Sequence, residues 1–144
     1  MSADTATCDI LAERVELFHR LSAEDVAKIL ERGITIRVAK GETVFYKGSY
    51  GSQLYVVLGG RFSVRDGSKT IATLREGAMF GEMAVLNKEP RSASVVALED
   101  AHLFVLTETT FKGLLTKRVA VQMLLNIVRT LSHRLREANM RIPC

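Results

Sequence analysis

The feature that most restricts the fold is a central region in which short apolar–polar alternations are separated by glycine turns. From residue 34 the apolar residues recur with period two, at Ile34, Ile36 and Val38. Turn signals then follow every few residues, at Lys40-Gly41, 47–52, Gly59-Gly60 and Asp66-Gly67. Period two is typical of half-buried strands, and short strands at regular spacing are typical of a sandwich or a jelly-roll barrel. We therefore predict a mainly β region over about residues 34–107.

This region is predicted to contain eight or so strands. The clearest cover residues 34–38, 43–46, 54–58, 62–65, 70–74, 94–98 and 102–106. Gly59-Gly60 and Asp66-Gly67 each predict a tight hairpin between neighbouring strands. The turn at Glu99-Asp100 predicts a final strand pair.

Helical patterns flank the β region on both sides. Residues 10–20 are predicted to form a short helix or turn, and Ser22 is predicted to cap a helix that ends at Gly33. After a cap at Thr107 we predict a short helix, followed by a long one over about residues 118–140. The predicted fold class is thus α+β, mainly β, with one N-terminal helix and two C-terminal helices.

The long predicted helix carries an apolar stripe. Its members are Val121, Leu124, Val128, Leu131 and Leu135. Spacings of three and four residues are typical of a coiled-coil seam, so we predict a homodimer through this helix. The alternative is a monomer whose helix docks on the β region.

Composition indicates an ordinary globular chain. Of the 144 residues 47% are hydrophobic and 25% charged, and the net charge of +4 is spread along the chain, which favours a solvated surface over a nucleic-acid patch. No apolar run approaches the length of a membrane span, and the polar N-terminus does not resemble a signal peptide. Because Cys8 and Cys144 lie near opposite ends, we expect reduced thiols and a cytoplasmic location.

One stretch interrupts the predicted strands, and its backbone N–H groups could bind an anion. It reads Phe80-Gly81-Glu82-Met83-Ala84-Val85-Leu86. Gly81 lacks a Cβ, so a ligand can approach the backbone closely. The apolar run predicts a short helix, and the first N–H groups of a helix, here those of Met83 and Ala84, form an anion site with the positive end of the dipole.

Two charged side chains indicate the kind of ligand. Arg91, in Pro90-Arg91-Ser92-Ala93-Ser94-Val95, supplies a planar fork that matches two phosphate oxygens, and Ser92 adds a donor. Glu82 would repel a phosphate, but it can accept a hydrogen bond from a sugar hydroxyl. A phosphate together with a sugar hydroxyl is a nucleotide.

These two segments resemble the phosphate-binding cassette of the cyclic nucleotide-binding domain family. The family pattern is F-G-E-(apolar)-A, a short loop, then P-R-(small)-A-(small)-V. The resemblance covers about residues 15–140 and implies a β-roll, a double-stranded β-helix jelly roll, with an N-terminal helix and C-terminal B and C helices. It also implies that residues 1–144 form a single domain. The family often has Gly-Asp where this chain has Gly77-Ala78, from which we expect a local effect on stability.

The resemblance assigns roles to individual residues. It implies that Arg91 binds the cyclic phosphate and that Glu82 binds the ribose 2′-hydroxyl. The other residues that it places at the ligand are Gly81, Met83, Ala84, Ser92 and Ala93, with Val64 and Ile71 along the base. Arg134 and Asn139 fall where family members place polar contacts to the base, and a solvated helix face is the alternative for both. The ligand is the only small molecule implied, with no cofactor or metal.

From this resemblance we expect a cytoplasmic receptor that couples binding to movement of its C-terminal helix. Ser92 stands where cGMP-binding members often have threonine, which favours cAMP over cGMP. Catabolite activator proteins continue into a helix-turn-helix, and this chain stops just past the long helix, so we expect a stand-alone sensor without direct DNA binding. The alternatives are an interaction or dimerisation module that does not respond to nucleotide, and a sensor fragment of a larger regulator. The sequence does not identify a downstream partner.

Catalysis is not expected. The β-roll resembles the cupin barrel, but cupin metalloenzymes need clustered histidines on adjacent strands. His19, His102 and His133 lack metal-ligand spacing, and the sequence shows no Ser-His-Asp or Cys-His constellation.

Overall fold

The chain forms two antiparallel sheets with helices at both ends, and the structure, a computed structural model, describes residues 5–114 and 118–140. The helices are α1 (Thr5–Arg14), α2 (Ala23–Arg32), α3 (Glu82–Asn87), α4 (Glu108–Leu114) and α5 (Arg118–Met140), with a 3₁₀ turn at Glu16–Phe18. The strands are β1 (Ile34–Val38), β2 (Thr43–Phe45), β3 (Gln53–Gly59), β4 (Phe62–Asp66), β5 (Lys69–Leu74), β6 (Met79–Phe80), β7 (Ser94–Ala97) and β8 (Ala101–Thr107).

The eight strands divide equally between the two sheets. One sheet has the order β1-β8-β3-β6 and the other β2-β7-β4-β5. Neighbouring strands in both sheets are antiparallel. The predicted fold class, α+β and mainly β, is confirmed. The single domain over residues 1–144 stays a prediction.

Two of the three predicted strand pairings are wrong. Strands β3 and β4 lie in different sheets, and so do β7 and β8. Gly60 therefore turns a corner between sheets, where its φ is +85° and an added Cβ would collide with Ala101. The pairing at Asp66-Gly67 is correct, since Asp66 lies opposite Lys69 in a β4–β5 hairpin. A glycine turn can connect two strands of one hairpin or two strands of different sheets. The sequence pattern therefore did not distinguish these two connections.

Helix α2 fits the prediction at both ends, with Ser22 as its N-cap and Gly33 as its C-cap. The Ser22 Oγ accepts the Asp25 N–H at 3.1 Å, so the predicted cap is confirmed. Gly33 has an extended conformation and not the left-handed one that is common for glycine at helix ends. A Cβ there would overlap the Phe104 ring, so close packing is the reason for glycine.

Helix α1 lies earlier in the chain than predicted, whereas the predicted cap before α4 is present. Helix α1 starts at Thr5, earlier than the predicted residue 10. The Thr110 N–H donates to the Thr107 Oγ1 at 3.2 Å, which confirms the cap before α4. No helix in residues 5–114 and 118–140 is long and apolar enough to cross a membrane.

Strand β3, in the interior of the first sheet, is buried on both faces. Leu54 and Val56 of β3 face a core formed with α1, α2 and α5, whereas Tyr55 and Val57 face a core shared with the second sheet. Burial on both faces explains why β3 is a continuous apolar run and does not alternate.

Helix α5 presents different residues to the core and to solvent. Its buried residues are Ala120, Met123, Asn126 and Ile127, and Leu124 and Leu131 pack partly against the same core. Val121, Leu125, Val128 and Leu135 are exposed, each by 54% to 63%. The predicted seam therefore mixed two faces, because Leu124 and Leu131 belong to the intramolecular contact and Leu125 joins the exposed stripe.

Candidate ligand-binding site

A cavity of about 210 Å³, here called the cassette pocket, brings most of the predicted ligand residues together. Those that line it are Val64, Gly81, Glu82, Met83, Arg91, Ser92, Ala93 and Arg134. They come from β4, the start of α3, the loop before β7 and helix α5. The fold thus joins segments that are up to about 70 residues apart into one concave site.

Of the predicted residues whose side chains the structure describes, Ile71 does not line this pocket. Ile71 is 47% exposed and lies on the neighbouring cleft, while Ala72 and Leu74 of the same strand line the pocket. The register of β4 and β5 shifts between the pairs Val64–Ala72 and Arg65–Thr70, and this irregularity displaces Ile71 from the expected face. The side chains of Ala84 and Asn139 lie outside the described part of the chain.

Arg91 is held inside the protein by backbone carbonyls. It is 6% exposed, its Nη1 donates to the Gly81 carbonyl at 3.0 Å, and its Nη2 donates to the Gln53 carbonyl at 3.1 Å. Its Nε is buried and has no hydrogen-bond partner within the described residues. A guanidinium carries five N–H donors, so these two bonds leave three for a ligand.

The surroundings of Arg91 are aromatic rings and closely packed backbone. Its Cζ lies 4.2 Å from the centroid of the Phe45 ring and 5.8 Å from that of Tyr55. A Cβ on Gly51 would lie 2.8 Å from Nη2, and one on Gly81, whose φ is +83°, would lie 2.8 Å from Nη1. Both glycines therefore allow the backbone to close on the guanidinium, as Gly81 was predicted to do for a ligand.

Burial works against the charge of Arg91, and neighbouring groups support it. Desolvation lowers the pKa of the Arg91 guanidinium, while Tyr55 and Glu82 oppose this shift. Burial likewise raises the pKa of the Tyr55 hydroxyl, which donates to Gln53 Oε1 at 2.7 Å. An arginine stays protonated in proteins, so the pocket contains a cation that is largely removed from solvent.

Glu82 is the second nearly buried charge, at 5% exposure. Its Oε1 lies 3.3 Å from Arg134 Nη1, and Arg134 Nη2 donates to the Met79 carbonyl at 2.8 Å. Arg134 Nη2 also lies 3.9 Å from Glu16 Oε2. The residue predicted to contact a base from the long helix thus contacts the acid predicted to bind ribose.

A larger cleft adjoins the cassette pocket. It measures about 910 Å³ and lies between α5, strand β5 and the N-terminal segment. Four arginines and four glutamates line it, so neither sign of charge dominates. Ala72, Leu74 and Arg134 line both cavities and form the boundary between them.

A comparison with known families agrees with this geometry. Residues 35–118 match the family model described as cyclic nucleotide-binding domain.

The chain belongs to the cyclic nucleotide-binding domain family.

Individual relatives extend the match. The chain is 35% identical to the cyclic AMP receptor protein of Thermus thermophilus over 88% of its own length and 60% of that protein. It is 38% identical to the cAMP-dependent protein kinase regulatory subunit of Mycosarcoma maydis, over 70% of its own length and 21% of that subunit. A solved cyclic nucleotide-binding domain from Methylobacillus flagellatus has a TM-score of 0.82 at 26% identity, covering 94% of this chain and 84% of that one.

Several residues of this cyclic nucleotide-binding domain were not predicted from the sequence. They are Phe45, Gly51, Gln53, Ala72, Leu74 and Glu16. Phe45 was recognised only as part of a strand, and Gly51 only as part of a loop. Their roles depend on the packing of β2 and β3 around Arg91, which no local pattern reveals.

The three histidines do not form a metal-binding cluster. His19, His102 and His133 are all exposed and lie on separate elements. Among the residues that the structure describes, no three His, Cys, Asp or Glu side chains are grouped as metal ligands.

Proposed function

We propose that this cyclic nucleotide-binding domain is a cAMP receptor that binds cGMP less tightly and moves its C-terminal helix in response. One observation carries the proposal: Arg91 and Glu82 are both nearly buried and line one pocket with the exposed hydroxyl of Ser92. Arg91 has hydrogen-bond donors left over, and the Glu82 carboxylate can accept further hydrogen bonds. Such a pair suits a ligand that has a phosphate at one end and hydroxyls at the other.

In the proposed complex the phosphate, the ribose and the base of the nucleotide each contact a different part of the pocket. The cyclic phosphate receives the unused N–H groups of Arg91, the Ser92 hydroxyl and the backbone N–H groups of Met83 and Ala84. The ribose 2′-hydroxyl donates to Glu82. The base lies along the apolar side chains of Val64, Ala72 and Leu74, which line the same pocket.

The preference for cAMP rests on Ser92 and on the relatives. Serine lacks the Cβ methyl group that restricts χ1 of threonine, so its hydroxyl is less ordered toward guanine than the threonine hydroxyl of cGMP-binding members. The relatives from Thermus thermophilus and Mycosarcoma maydis are described as a cyclic AMP receptor and a cAMP-dependent regulatory subunit. We expect discrimination of about tenfold, equivalent to roughly 1.4 kcal/mol.

The same proposal includes a homodimer. The exposed stripe Val121-Leu125-Val128-Leu135 follows a spacing of four, three and seven residues, as one seam of a coiled coil does. We further propose that the chain acts in the cytoplasm by binding and not by catalysis, with the cyclic nucleotide as its only small molecule.

A second candidate is a module of the same fold that does not respond to nucleotide. The observation in its favour is that both buried charges already have internal partners: Arg91 has two carbonyls and Glu82 has Arg134. A site that has lost its ligand would be expected to satisfy its charges internally in this way.

Titration calorimetry with cAMP, cGMP and a cyclic dinucleotide separates these candidates. The receptor predicts one cAMP per chain, about tenfold weaker cGMP binding, and little heat from the dinucleotide or from non-cyclic 5′-AMP as control. Absence of heat with cAMP and cGMP at millimolar concentration would leave the unresponsive module.

A further inference from the structure

We propose that Tyr55 is a positioning residue for the phosphate site, because it fixes the two backbone carbonyls that hold the Arg91 guanidinium. This inference rests on the proposed function, in which Arg91 receives the cyclic phosphate. Tyr55 lies on β3, outside both segments of the sequence motif. Among the residues that the structure describes, those that line the cassette pocket do not include Tyr55. It therefore acts on the ligand through Arg91.

The hydroxyl of Tyr55 fixes the first of these carbonyls. It donates to Gln53 Oε1 at 2.7 Å, and the backbone carbonyl of the same Gln53 accepts a hydrogen bond from Arg91 Nη2 at 3.1 Å. Gln53 is the first residue of β3, and the ends of a strand open more easily than its middle. Residues two apart in a strand lie on the same face, so the hydroxyl ties the strand end to a buried ring beside it.

The ring of Tyr55 supports the second carbonyl. It stacks on Phe80 with ring centroids 5.0 Å apart and an angle of 10° between the ring planes, and the two residues are paired between β3 and β6. Gly81 follows Phe80 directly, and its carbonyl accepts a hydrogen bond from Arg91 Nη1 at 3.0 Å. Stacked aromatic rings hold a preferred geometry, so the ring of Tyr55 restricts the peptide that carries this carbonyl.

These groups are packed too closely to move independently. A Cβ added to Gly81 would lie 2.9 Å from the Gln53 carbonyl oxygen and 3.2 Å from Tyr55 Cδ2. Tyr55 and Arg91 are each 6% exposed, and the Tyr55 ring centroid lies 5.8 Å from Arg91 Cζ. A close-packed interior transmits small displacements, so a shift of either carbonyl turns the guanidinium.

Burial keeps the Tyr55 hydroxyl in the form that donates. Desolvation raises the pKa of Tyr55, and the charge of Arg91 opposes this shift by a smaller amount. The hydroxyl therefore stays protonated near neutral pH. The orientation that it maintains matters because a guanidinium fork binds two phosphate oxygens only when both N–H groups point at them.

The hydroxyl and its acceptor should behave as one unit in cAMP binding. Tyr55→Phe removes the hydroxyl and keeps the stacked ring, so cAMP should bind about three- to tenfold more weakly. Gln53→Leu removes the acceptor and should cause a similar loss. The double variant should bind less than about twofold more weakly than the weaker single variant, because the two changes break the same bond. Tyr50→Phe, at a position that is 79% exposed, is the matched control and should bind like the parent.

A second comparison separates positioning from a general loss of stability. Lysine has one terminal nitrogen and cannot hold both carbonyls as the arginine fork does. In an Arg91→Lys background the loss caused by Tyr55→Phe should therefore fall below about twofold. An equal loss in the arginine and lysine backgrounds would show that Tyr55 does not act through Arg91.

Calorimetry with cAMP on the parent and these variants, with urea unfolding to confirm that each is folded, tests the proposal. Unchanged affinity in Tyr55→Phe overturns the positioning role and leaves the receptor proposal intact. Additive losses in the double variant overturn the link between Tyr55 and Gln53. A parent that binds no cyclic nucleotide overturns the receptor proposal and the positioning role together.

Discussion

The guanidinium of Arg91 stabilises the fold and, in the proposed function, also binds the ligand. Its terminal nitrogens join Gly81 to the first residue of β3, and its Nε has no hydrogen-bond partner in the described part of the chain. The sequence motif predicted Arg91 and Glu82 as ligand-binding residues. It did not predict the carbonyl anchors, because these come from the backbone of a segment almost forty residues away.

Phe45 supports the same guanidinium from below its plane. Phe45→Leu should weaken cAMP binding about two- to thirtyfold, since a desolvated cation–π contact contributes roughly 0.5–2 kcal/mol. Tyr46→Leu, at the exposed neighbouring position, is the control and should bind like the parent. Equal affinities of Phe45→Leu and the parent in calorimetry would show that the ring does not position Arg91.

Among the elements, β3 and α5 show most clearly what local patterns reveal. The apolar run of β3 was recognised as a strand, but its wrong pairing with β4 followed from a glycine turn that changes sheets. The period of α5 predicted the helix and its length. It did not separate the face that packs at Leu124 and Leu131 from the face that stays exposed, because both faces are apolar.

Asn126 is a polar residue on the buried face of α5, and the apolar stripe gave no reason to select it. Asn126→Leu should lower the free energy of unfolding by about 2–4 kcal/mol, because two carbonyls, of Leu17 and His19, lose their donor. The urea midpoint should fall with an unchanged slope. Gln122→Leu, which removes only the bond to Asn126 Oδ1, should cost less than about 1 kcal/mol.

If Asn126→Leu proves as stable as the parent, the hydrogen bonds from Asn126 to the N-terminal segment do not stabilise the fold in solution.

For the molecule as a whole, the exposed apolar stripe of α5 predicts a homodimer. Light scattering should give a dimer mass for the parent at high micromolar concentration and a monomer mass for Leu125→Glu. The substitution should leave the fold intact, since the Leu125 side chain is 54% exposed. A charge in the seam has to be desolvated on association, which opposes pairing.

Ile10→Glu is the matched control for the dimer. Ile10 is 50% exposed on α1, away from the stripe, and its variant should keep the dimer mass. A monomer mass for the parent, with and without nucleotide, would contradict the dimer.

The central claim is that Arg91 receives a cyclic phosphate, and the affinity of cAMP for the parent and for Arg91→Ala tests it most directly. Loss of the cation should cost roughly 2–5 kcal/mol, because the buried ligand charge is then only partly compensated. The dissociation constant should therefore rise about 30- to 5,000-fold. Arg91→Lys should fall between the two, since it keeps the charge and loses the planar fork.

Calorimetric titration of the three proteins, with their folds checked by circular dichroism, provides this comparison. The account predicts tight binding in the parent, partial loss in Arg91→Lys and severe loss in Arg91→Ala. Equal affinity of the parent and Arg91→Ala for cAMP would contradict it.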